Sequence, residues 1–77
     1  MREEDLKVGE LYMATERIPY TYVHSGNVLR YKGVSAHNFW SVFEIVVGYP
    51  RCEQFLRKTD LRSLDDCTSR LFKALYG

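Results

Sequence analysis

The sequence predicts a mainly β domain closed by a C-terminal helix, built as a five-stranded antiparallel barrel or curled sheet. Three observations carry this. Residues 39–48 form a strand-like run that is apolar on both faces. Four further short runs of β-type residues are punctuated by turn chemistry. Beyond Ser63 the apolar residues switch to a helical period.

Phe39 to Gly48 is rich in β-branched and aromatic residues and ends at Gly48-Tyr49-Pro50. One face carries Phe39, Phe43, Ile45 and Val47. The other carries Trp40, Val42 and Val46, interrupted by Glu44. A strand with one wet face alternates cleanly, so this one is expected at the centre of the sheet with cover on both sides.

In chain order, Met1 to Lys7 is charged, and Gly9 marks a turn. Glu10 to Ala14 reads as a first strand with Leu11 and Met13 on one side. Pro19 has no N–H to donate and holds Ile18 extended, so Thr15 to Pro19 is a loop. Tyr20 to His24 alternates and reads as a second strand. Ser25-Gly26-Asn27 supplies a turn, and Val28 to Val34 follows as a third strand. Leu29 and Tyr31 form its inner face, Arg30 and Lys32 its polar face, and it is expected to make a hairpin with the second strand. Cys52 to Lys58 is a fifth strand. Phe55 and Leu56 point opposite ways there, so its buried face stays open. Ser63 suits an N-cap, with Asp66 three residues on. Leu64, Cys67, Leu71 and Leu75 recur at helical spacing, so residues 64–76 are expected to pack as a helix on the uncovered face of residues 39–48.

Seventy-seven residues are expected to make one domain, with 6–62 as the β part and 63–77 as the helix. The net charge of +1 is unevenly spread. Residues 1–16 carry −3, residues 17–58 carry +4, and the rest cancel. A nucleic-acid domain generally shows a stronger basic excess. Two cysteines make no disulfide framework. With no signal peptide and no long apolar run, a cytoplasmic setting is expected.

The stretches Leu6 to Tyr12, Gly26 to Tyr31, Phe43 to Val46 and Thr59 to Leu64 resemble the SH3-like small β-barrels, in the broad sense that includes Tudor-type domains. The resemblance covers residues 6–64. It implies a module that binds peptides, modified side chains or nucleic acid and rarely catalyses. The size is also similar to that of small proteins made by phages and mobile elements to bind or inhibit a host factor.

His24, His37, Cys52 and Cys67 are the only histidines and cysteines. Zinc sites bring ligands in pairs a few residues apart, and these four are isolated, so no metal and no cofactor is expected. Cys67 falls on the apolar stripe and reads as a small buried thiol. Cys52 has Arg51 beside it but no partnering base, so no enzyme is expected. The candidate binding face is Tyr20, Tyr22 and His24 on the second strand with Arg30 and Lys32 on the third, flanked by Trp40. Tyr, Trp and Arg are the usual anchors of protein interfaces, which favours a protein partner, with the chain a monomer or homodimer. The alternative is a nucleic-acid-binding barrel using the same rings and cations. A plainer arrangement turns Tyr20 and Tyr22 into the core and leaves the two cations as solubilising charges.

Overall fold

The computed structural model describes residues 1–66. They form a five-stranded antiparallel sheet in the order β4-β3-β2-β1-β5. The strands are β1 (Leu11–Ala14), β2 (Val28–Val34), β3 (Ser41–Val47), β4 (Glu53–Leu56) and β5 (Leu64–Asp66). Short 3-10 turns join β2 to β3 and β4 to β5, the longer being Lys58–Ser63 between β4 and β5. The sheet is curled but not closed, since β4 and β5 end it on opposite sides. Among the described residues no helix is long and apolar enough to cross a membrane.

The core lies on one face. Tyr12 and Ala14 of β1, Leu29 and Tyr31 of β2, and Phe43 and Ile45 of β3 meet Leu56 of β4 and Leu64 of β5. Phe43 sits at the centre. The Tyr12 ring meets it edge-on at 6.2 Å and the Tyr31 ring at 5.1 Å. Both tyrosines keep water off a ring whose burial favours folding. That burial also pushes both phenol pKa values up. The backbone N–H of Lys7 donates to Tyr12 Oη (2.9 Å), so this buried hydroxyl is partnered.

Four expectations are corrected and one open question is settled. First, Tyr20 to His24 is not a strand. The β1–β2 connection is an irregular loop, and β2 pairs with β1 and β3 instead. Ile18 and Val23 are buried, and Ile18 N–H donates to Val23 O (3.1 Å), so the chain turns back on itself between them. Thr21 stitches that turn by donating to Ile18 O (2.8 Å) and accepting from Val23 N–H (3.0 Å). Tyr20 lies within it at φ 65°, which breaks any extended run.

Second, β1 buries Tyr12 and Ala14 rather than Leu11 and Met13, which stay half-exposed. Third, the middle of the sheet is β2. The run at 39–48 supplies its neighbour β3, whose second face at Val42, Glu44 and Val46 is half-buried; Phe39 is exposed ahead of the strand. Fourth, the open face of the fifth strand is settled: Leu56 is in the core and Phe55 is exposed.

Fifth, the expected helix does not begin at residue 64. Leu64 to Asp66 is β5, with Leu64 opposite Ala14. Ser63 is unavailable as an N-cap because its hydroxyl donates to Glu16 Oε1 (2.8 Å). Its carbonyl accepts from Thr15 N–H (2.7 Å) and Thr15 Oγ1 (3.0 Å). These bonds steer the chain onto the free edge of β1. The remainder of the expected helix, including the Cys67 thiol, lies outside the described residues.

Candidate functional site

A cleft of about 290 Å³ opens beside β4. Pro19, Tyr20 and Thr21 of the β1–β2 loop form one wall. Trp40, Phe55, Arg57 and Asp60 complete it. Each wall is held by its own hydrogen bonds.

Tyr20 is 94% exposed, although its loop is anchored through buried Ile18 and Val23. A tyrosine at positive φ is uncommon, and such backbone collects where geometry serves a site. The Tyr22 N–H donates to Gln54 Oε1 (2.9 Å), which ties the loop to β4. Trp40 is clamped at its backbone. Its N–H donates to Ser35 Oγ (2.9 Å), and its carbonyl accepts from Ser35 N–H (2.9 Å). Two further positive-φ residues, His37 and Asn38, turn the chain just ahead of it. The Phe39 ring leans on the indole at 5.2 Å.

Arg57 closes the cleft. Its Nε and Nη2 donate to the two carboxylate oxygens of Asp60 (3.2 and 3.1 Å), and its backbone N–H adds a third bond (3.0 Å). Asp60 is buried and holds the guanidinium pKa up, chiefly through these bonds. The fork so oriented lies 5.7 Å from the centre of the Tyr20 ring, a cation–π contact. Three rings and one guanidinium therefore surround a gap with a mostly apolar lining, a surface suited to desolvating a partner side chain.

The six residues singled out from sequence are only partly brought together. Tyr20 and Trp40 share the cleft. Tyr22 is exposed on the adjoining loop tip. His24 is exposed further along, its N–H donating to Asn27 Oδ1 (2.8 Å). Arg30 and Lys32 project from the outer face of β2, where Arg30 pairs with Glu44 across the ladder at 3.8 Å. The alternating ring-and-cation sheet face therefore does not form, because its first strand is a loop. The arrangement with Tyr20 and Tyr22 in the core does not form either. Sequence reasoning missed Phe55, Arg57 and Asp60. The i, i+3 spacing of Arg57 and Asp60 was the available signal.

Cys52 is exposed and free, its Sγ accepting from Gln54 Nε2 (3.1 Å). Among the described residues no group of three or more His, Cys, Asp or Glu side chains is placed to hold a metal ion. Comparison with protein-family models, with curated proteins and with solved structures finds no match to this chain.

Proposed function

We propose that this chain is a non-enzymatic interaction module that binds a protein partner through the Tyr20–Trp40–Phe55 cleft. The observation that carries the reading is the cleft itself. A chain with a small core leaves Tyr20 and Phe55 exposed around one gap, and Arg57 is stacked and ion-paired at its rim. Tyr, Trp and Arg are enriched among residues that dominate binding energy, and rigid rings lose little entropy when covered. The β4-β3-β2-β1-β5 order, with a 3-10 turn ahead of the last strand, favours the SH3-like resemblance. Small barrels of that kind take peptides in aromatic-lined grooves.

The test is peptide selection on the immobilised full chain, followed by affinity measurement of the selected peptides. Tyr20→Ala and Trp40→Ala are each expected to cost roughly 2 kcal/mol, about 30-fold in affinity. Tyr20 is so exposed that its variant should keep the parent melting temperature, which separates binding from folding. Random single- and double-stranded oligonucleotides provide the opposing arm. Salt-sensitive binding weakened by Arg30→Ala and Lys32→Ala, with the cleft variants neutral, would replace the protein partner with nucleic acid.

A further inference from the structure

The edge of β4 narrows what the cleft can hold, given that it binds a protein. Ile45 N–H donates to Cys52 O (3.2 Å), so residues 45 and 52 are a hydrogen-bonded pair. In an antiparallel ladder such pairs alternate with non-bonded ones. With Phe43 opposite Gln54 and Ser41 opposite Leu56, the intervening Glu53 and Phe55 turn their N–H and C=O groups away from β3. Among the described residues β4 has no strand on that side.

An edge of this kind invites pairing, and proteins blunt it. Here the blunting is selective. Glu53 C=O accepts from the Gln54 side chain (Nε2, 2.9 Å). Arg57 N–H is taken by Asp60 Oδ2 (3.0 Å), and Arg57 C=O by Asp60 N–H (2.9 Å). Phe55 lies between these capped residues and lines the cleft, and among the described residues nothing caps its own N–H and C=O. A second copy pairing β4 to β4 about Phe55 would set Glu53 against Arg57 of the other chain. It would need the carbonyl and amide groups that are already occupied. A segment bonding at Phe55 alone needs none of them.

Charge supplies the second restriction. The side chains of Glu53 and Phe55 share the outer face of β4, and Phe55 lines the cleft together with Arg57. Glu53 stands directly opposite Glu44, a like-charge pair. Arg30 answers Glu44, while Glu53 is exposed and, among the described residues, has no ion partner. A strand laid beside β4 would place one residue next to Phe55 and another, two positions along, next to Glu53.

We propose that the partner segment is an extended strand that pairs with the N–H and C=O of Phe55. It seats one bulky apolar side chain against Tyr20, Trp40 and Phe55, and carries Lys or Arg two positions away, beside Glu53. The recognised pattern is apolar-x-basic or its reverse, according to strand direction.

The experiment is random-peptide selection on the full chain, repeated on Glu53→Lys, with backbone amide exchange of the chain measured alone and with the best selected peptide. The expected result is enrichment of an apolar residue spaced two from Lys or Arg. Glu53→Lys should exchange that preference for Asp or Glu. Phe55 N–H should gain at least tenfold protection, and N-methylation of the apolar residue of the peptide should weaken binding at least tenfold. Selected peptides that depend on Tyr20 but leave Phe55 N–H unprotected, or that are rich in proline at the pairing position, would overturn strand pairing and leave the cleft reading in place. Selected peptides indifferent to Tyr20→Ala and Trp40→Ala would overturn both.

Discussion

Gly48 shows how one residue can be dictated by its neighbour. It ends β3 at φ 134°, and a Cβ built there would lie 2.5 Å from the Asn27 side-chain amide. Asn27 cannot yield freely, because its Oδ1 accepts from His24 N–H. Gly48→Ala is therefore expected to destabilise by more than the ~1 kcal/mol scale of an ordinary glycine exchange, read as a lower denaturation midpoint with an unchanged slope. Tyr12 and Tyr31 give a second residue-scale outcome. Burial raises both phenol pKa values, so the folded chain keeps protons that the unfolded chain loses near pH 10. That stabilisation is complete below pH 10 and is lost as pH rises through the higher folded values. Melting temperature should fall as pH rises above 10, and Tyr31→Phe should shallow that fall.

At the scale of elements, the 15–27 loop is held to β4 by one side chain. Gln54 accepts from Tyr22 N–H and donates to Glu53 C=O and Cys52 Sγ. Gln54→Ala leaves these groups without their partner and should cost about 1–3 kcal/mol. It should also free the Tyr20 wall, so peptide affinity falls although Gln54 lines no part of the cleft. A variant that melts lower yet binds as tightly as the parent would show that the loop is positioned by Ile18 and Val23 alone. The strand β5 is the other element decided by neighbours. Leu64→Asp puts a charge where a 3% exposed leucine packs against the core. It should abolish cooperative unfolding, followed by circular dichroism on heating.

Over the whole molecule, stability converges on one buried ring. Phe43 is fully buried and touches both Tyr12 and Tyr31. Phe43→Ala is expected to cost about 3–5 kcal/mol, a large part of what a domain of this size has in reserve. Urea unfolding of the two proteins measures it. The surface charges matter less. Arg2 with Glu4 and Asp5, Lys58 with Glu3, and Arg30 with Glu44 are exposed or half-exposed pairs. Moderate salt should therefore move the melting temperature little.

What the amino-acid order determined by itself was local and periodic. Alternation placed Leu29 and Tyr31 inside and Arg30 and Lys32 outside on β2. Apolar density marked β3, and turn residues marked its ends. The mainly β class was legible for the same reason: strand patterning repeats every two residues and survives whatever the partner is. The tertiary structure decided what depends on distant neighbours. Tyr20 to His24 alternates like a strand, but both edges of β2, its expected partner, are taken by β1 and β3. Ile18 and Val23 find the core and push the tyrosines outward. Ser63 and Asp66 suit a helix start, but Thr15 and Glu16, far away in the chain, take up Ser63, and the edge of β1 takes Leu64. The cleft belongs to this second class. Tyr20, Trp40, Phe55, Arg57 and Asp60 come from three separate stretches, and only packing brings them around one gap. Short-range preference is worth a few tenths of a kcal/mol per residue, whereas a buried side chain or a satisfied buried hydrogen bond is worth one or more, so the contact wins wherever they disagree.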